Sequence, residues 1–381
     1  MHGAAHDPPD VGGATHLLEH LTLRRCGRLD RAELARLVDR LGGDVDAWTC
    51  SEQMGVTVQT TVDALPEALA LLSDAVLEPT FDAADVELEQ RVARAELELV
   101  LEDPAEQVEQ AILEAAWGDH PLSRPIIGSE QSLERLTPEL LQAHHATLVR
   151  PGKVMAAVAG DVGTEEVAQR LARLPLGARP TQPPLPPVRW VGGRVQLLRS
   201  GADQVHARIA FPAPPVDDPA VPALTVLNRA LGVGASSRLF QRLREDEGLT
   251  YDVWSGITLR TVGGLLEVGW ACAPRAAAEV ERLVREELEQ VVGGLGDDEV
   301  EVAVEGLVRG LEMDAESPGG VCAMDVAEVL YKGRQFVLEQ AMDELRSVQP
   351  REVRELAGQV LRRELMAVAV CGPKGTVERV A

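Results

Sequence analysis

Apolar residues recur at helical spacing along much of the chain. In GGATHLLEHLTLRRCG, residues 12–27, Leu17, Leu18, Leu21 and Leu23 mark one helical stretch, and DRAELARLVDRLGG continues with the same period. FDAAD, residues 81–85, opens a second long run, ADVELEQRVARAELELVLEDP (84–104), which is rich in helix formers and reads as one helix. Further on, strands are predicted at Val195–Arg199 and His206–Phe211, then a PPVDDPAVP turn and a helix through ALTVLNRALG. The first half begins at the equivalent of that turn: DPPDVGGATHLLEHL matches DDPAVPALTVLNRAL in kind. After each comes helix, strand, long helices and a closing strand, KVMAAVAGDV in one half and LMAVAVCGP in the other. Between them LPLGARPTQPPLPPVRW, residues 174–190, has no period and many prolines.

This pattern predicts an α+β protein of two homologous α/β repeat domains, each a sheet covered by helices. The first occupies residues 1–173, the Pro-rich linker 174–190 and the second 191–381. The first repeat lacks the two leading strands of the second. Its sheet is therefore expected to be short of strands, as if the chain started late through truncation or a misplaced start.

Charge and cysteine usage narrow the function classes. A net charge of −24 argues against a nucleic-acid backbone or an anionic membrane as partner. Five scattered cysteines form no CxxC pair, which indicates neither a disulfide framework nor a thiolate metal site and fits a reducing compartment. With no charged leader before an apolar run, and no stretch of 18 apolar residues, the expected location is the cytoplasm.

The candidate chemistry lies in the first helical stretch. His16 and His20 are four apart, so they share a helix face, and Glu19 lies between them. Two imidazoles one turn apart can bind one metal ion, with Glu19 close enough to act on a water held there. The competing reading is a pair of partly buried histidines satisfied by hydrogen bonds, and a third ligand would distinguish the two. Glu89 and Glu96, seven apart in 84–104, lie on one face of their helix. Pattern alone does not choose among Glu87, Glu89, Glu96, Glu98 and Glu102, which also suit a solvated face. The matching helix of the second half has Leu, Thr, Asn and Arg in place of the histidines and glutamate, so a metal is expected in the first repeat only.

With HLLEH and the acidic helix together, the chain resembles the pitrilysin/insulinase metallopeptidases, the inverted-motif zincins, of the two-repeat type related to mitochondrial processing peptidase. In that family the zinc-binding glutamate lies about 76 residues after the second motif histidine, and this spacing falls on Glu96 within EQRVARAELELVLEDP. The resemblance extends through LGGDVDAWTCSEQMGVTVQTT, PLSRPIIGSEQSLERLTPELL and VAGDV, and in the second half through GASSRLFQRLREDEGLTYDVWSG, residues 234–256. It implies zinc held by His16, His20 and Glu96, with Glu19 as general base and acid, and Glu89 as an orienting acidic residue. It further implies that Arg244 and Tyr251 bind substrate and its developing oxyanion, and that an extended peptide adds to the edge strand at Asp46, Ala47 and Thr49. Two departures bear on subsite preference: Asp46 stands where the family usually has Asn, and HLTLRRCG replaces a more aromatic, glycine-ending stretch.

The function so implied is a zinc metalloendopeptidase that hydrolyses peptides or unfolded segments inside a dimeric chamber. Its partners are a peptide substrate and a second copy of the chain, or a homologue in a heterodimer. The alternative is a non-catalytic or truncated relative serving as a partner or scaffold subunit.

Overall fold

The computed structural model describes residues 2–177, 184–199 and 201–376, which are mainly helical with two sheets. The chain gathers into two compact units. One holds Met1–Leu99, Arg124–Leu185 and Ser317–Gln335; the other holds Val100–Ser123, Pro186–Glu316 and Phe336–Ala381.

In the first unit, α1 (Ala14–Thr22) carries the paired histidines. Leu17 and Leu21 are fully buried with Val86, Ala93, Leu133, Leu136 and Leu141, which fixes the rotation of the helix about its axis. Glycine sets its entry. Gly13 lies at φ 87°, and a Cβ there would overlap the Ile127 carbonyl, while Gly128 at φ 83° makes room in turn for the Gly12 carbonyl. The next helix, α2 (Arg31–Leu41), starts at a capping box in which Glu33 N–H donates to Asp30 (2.8 Å) and Asp30 N–H donates to Glu33 (3.0 Å). It ends at Gly42, φ 69°.

Strands β1 (Val45–Thr49) and β2 (Met54–Val58) pair antiparallel, with Ala47 opposite Val56, and form a two-stranded sheet. Val45 and Val58 pack on a core made by Leu34 and Leu41 of α2 with Ala68, Leu71 and Ala75 of α3 (Leu65–Leu77). The long helix α4 (Ala83–Glu102) follows, close to the predicted bounds.

One expected element is not a strand. Residues 153–162 make a single bridge, Val154 to Leu176, and are otherwise irregular. A strand exists through its neighbours' hydrogen bonds, and the two strands that flank the closing strand of the second half have no counterpart among the described residues of the first.

In the second unit five strands run in the order β3-β7-β4-β6-β5: β3 (Arg194–Leu198), β4 (Val205–Ala213), β5 (Thr250–Arg260), β6 (Gly263–Cys272) and β7 (Ala367–Gly372). Only β3 and β7 are parallel. Val205, Ala207, Ile209 and Phe211 of β4 bury one face against helices Val221–Gly232, Ala277–Gly293 and Pro350–Val360. On the other face lies α5 (Pro104–Trp117), whose Glu109 meets Arg208 of β4 at 2.7 Å. This helix precedes the proline-rich stretch in sequence yet folds with the second unit, and Ser317–Gln335 folds with the first. Of that stretch, 178–183 lie outside the described residues, and 184–190 form neither helix nor strand. No helix among the described residues is long and apolar enough to cross a membrane. The five cysteines are unpaired.

Candidate active site

The site is built where α1 meets α4. Along α4, Val86, Glu89, Ala93 and Glu96 form one stripe at alternating steps of three and four; Val86 and Ala93 enter the core beside Leu17 and Leu21, and the glutamates between them face the histidines. Glu96 Oε2 lies 3.8 Å from His16 Nε2 and 3.5 Å from His20 Nε2. Ligands 2.0–2.1 Å from a tetrahedral zinc sit about 3.3–3.4 Å from one another, so small side-chain adjustments bring these three atoms onto one ion. Two neutral imidazoles and a carboxylate are also a donor set that zinc accepts.

Protonation is arranged to match. His20 Nδ1 is 3.1 Å from Glu89 Oε2. A carboxylate oxygen accepts, so Glu89 pairs with a proton on Nδ1 and leaves Nε2 as the nitrogen that faces Glu96. Burial, and then the neighbouring His20, push the His16 pKa down to about 4, leaving that ring neutral at pH 7. Its Nδ1 is buried without a hydrogen-bond partner among the described residues.

Glu89 is itself held. Its other oxygen accepts from Arg24 Nη1, while Arg24 Nε donates to Asp85 at 2.9 Å and Arg25 Nε donates to the second Asp85 oxygen at 2.6 Å. Asp85 and Glu89 are one turn apart on α4, so the two arginines that end the α1 segment clamp it to the helix bearing the third candidate ligand. Sequence reasoning missed this clamp. The adjacent arginines were visible, but nothing local indicates a partner sixty residues away.

Glu19 projects beside the histidines. Burial raises its pKa above the ordinary glutamate range, and Thr49, at the end of β1, opposes part of that rise. A partly buried carboxylate with raised pKa is suited to take and return a proton. On β1, Asp46 is exposed, and Ala47 and Thr49 are partly covered. Among the described residues only β2 pairs with this strand, so its other edge has no strand neighbour.

Arg244 and Tyr251 belong to the second unit. Arg244 lies in a wide helical turn, Gln241–Asp246, with its guanidinium 4.8 Å from the Tyr251 ring centroid and 4.7 Å from that of Phe240. Tyr251 sits at an irregularity in β5 and is 82% exposed. Such exposure is unusual for a large aromatic ring.

A His-His-Glu donor set with a glutamate beside it, on two helices of a two-repeat α+β chain, is the arrangement of the inverted-motif zincin class. Family models agree: residues 1–130 match "Insulinase (Peptidase family M16)" and residues 135–307 match "Peptidase M16 inactive domain". The chain belongs to the M16 (insulinase) peptidase family. It is 33% identical to an uncharacterized zinc protease of Mycobacterium tuberculosis over 98% of this chain and 87% of the relative. Identity is 26% to zinc protease YmxG of Bacillus subtilis (98% and 92%) and 22% to the bovine mitochondrial-processing peptidase subunit beta (97% and 78%). In fold it is similar to a Helicobacter pylori protease, TM-score 0.89 at 17% identity (97% and 92% covered). A Pseudomonas fluorescens structure described as a peptidase M16 inactive domain gives 0.88 at 22% (98% and 91%).

Proposed function

We propose that the protein is a zinc-dependent endopeptidase acting on peptides or unfolded segments. The observation that carries this reading is the convergence of His16 Nε2, His20 Nε2 and a Glu96 oxygen within 4.8 Å of one another, with Glu19 beside them. When bound, zinc supplies the Lewis acid that makes water nucleophilic at neutral pH and polarises the scissile carbonyl.

The chain's own groups do the rest. Glu19 removes a proton from the attacking water and returns it to the departing amine. His20 is kept in one tautomer by Glu89, which Arg24 holds in place. A substrate strand adds to the free edge of β1 along Asp46, Ala47 and Thr49, bonding through its backbone and so making few demands on sequence. Arg244 and Tyr251 hydrogen-bond the substrate carbonyl as charge develops on it. In this reading residues 1–173 are the catalytic repeat and 191–381 the substrate-orienting one, and five unpaired cysteines favour work in the cytoplasm.

The working unit is a dimer of this chain, or of this chain with a homologue, enclosing a chamber in which Arg244 and Tyr251 of one subunit serve the zinc site of the other. Subunit mixing tests this. Glu19→Gln and Tyr251→Phe are each inactive alone; exchanged into one dimer they leave one complete site, and activity returns. No recovery, despite exchange shown by mass spectrometry, rules out a site shared between subunits.

A further inference from the structure

A second cluster of nitrogen and oxygen donors flanks the first turn of α1. We propose that His2, Asp7 and His144 form a second divalent-metal site, taking zinc or an ion of similar softness such as cobalt or nickel. The inference is independent of the active-site reading. One donor atom from each of the three residues lies within 4.8 Å of the others. Asp7 Oδ1 is 3.4 Å from His144 Nε2 and 3.9 Å from His2 Nε2, close to the separations between Glu96 and the two motif histidines. The donor set, two imidazoles and a carboxylate, is also the same.

The cluster is buried and its carboxylate is held in place. The Asp7 side chain is 1% exposed, that of His144 9% and that of His2 11%. Thr15 fixes Asp7 by donating its backbone N–H to Oδ2 (3.1 Å) and its hydroxyl to Oδ1 (2.5 Å). The hydroxyl's one proton is on Asp7, so its oxygen accepts from His144 Nε2–H at 3.0 Å in the metal-free protein, and that nitrogen gives up its proton when it binds an ion.

His2 distinguishes the cluster from a satisfied polar network. Both its ring nitrogens are buried and neither has a hydrogen-bond partner among the described residues, an arrangement that is costly unless something else meets them. An imidazole nitrogen with no hydrogen-bond partner has a lone pair to offer an ion. A bound ion uses that lone pair and the Asp7 charge together. It would also tie the segment before α1 to helix Pro138–Leu148, beside the turn that carries His16.

Zinc stoichiometry tests the proposal. Metal-stripped protein is dialysed against micromolar zinc, and bound metal is measured by atomic emission. Wild type is expected to hold about two zinc per chain, and His2→Ala and His16→Ala/His20→Ala about one each. The triple variant holds none. His2 makes no hydrogen bond among the described residues, so its replacement leaves the Asp7–Thr15 and Thr15–His144 hydrogen bonds in place, and circular dichroism verifies the fold. If wild type holds one zinc that His2→Ala loses and His16→Ala/His20→Ala keeps, the second site stands and the active-site reading fails. Unchanged zinc in His2→Ala, or loss of both ions, overturns the proposal.

Discussion

Replacing Glu89 by Gln separates a positioning role from a merely structural one. The side chain is nearly buried and holds two groups: His20 Nδ1 at 3.1 Å, and the Arg24 guanidinium on its other oxygen. A carboxamide offers one acceptor and one donor where the carboxylate offers two acceptors, so either His20 or Arg24 must face an N–H. Losing one charge-assisted hydrogen bond lowers the stability of the metal-free protein by about 1.5–3 kcal/mol. Arg24 keeps its bond to Asp85, which limits the damage. If His20 loses its fixed tautomer, zinc affinity falls by about 10–100-fold, equivalent to about 1.4–2.7 kcal/mol. Competition with a chromophoric chelator measures the affinity, and thermal denaturation of the stripped protein measures the fold. A variant that melts earlier yet binds zinc within twofold of wild type would refute the positioning role.

Gly13→Ala should destabilise the protein by at least about 2 kcal/mol, because alanine resists φ 87° and its methyl meets the Ile127 carbonyl; a change under about 0.5 kcal/mol in chemical denaturation would contradict that packing. Arg238 holds Glu299 in two bonds, 2.6 and 2.7 Å, and lowers its pKa below the ordinary 4.5. The lowered value places the stabilisation above pH 4.5, where it is full, and removes it as pH falls through the folded-state pKa. Wild type should therefore exceed Glu299→Gln by about 1–2 kcal/mol at pH 7, with the two converging in acid; a gap independent of pH would exclude the charge as its cause.

Much of the fold was legible because helical periodicity is strong in this chain. The helix bearing His16 and His20, the acidic helix, and the strands opening the second half lie close to their predicted bounds. The closing strand of the first half was not legible: KVMAAVAGDV has strand-like composition, but pairing depends on neighbours that local sequence does not reveal. For the site, periodicity put Glu89 and Glu96 on one face without separating them. The structure separates them by which imidazole nitrogen each meets, Nδ1 for Glu89 and Nε2 for Glu96. Contacts between distant segments escaped altogether, including the Arg24–Asp85–Arg25 clamp and the meeting of His2 with His144.

The central claim is that the first repeat holds zinc through His16, His20 and Glu96 while Glu19 moves the proton. Zinc content and peptide turnover of Glu19→Gln, measured on the same preparation, test it most directly. The expected result is wild-type zinc at the active site with turnover reduced by roughly 10²–10⁴-fold. Turnover within tenfold of wild type at full zinc, or loss of zinc together with activity, would contradict the account.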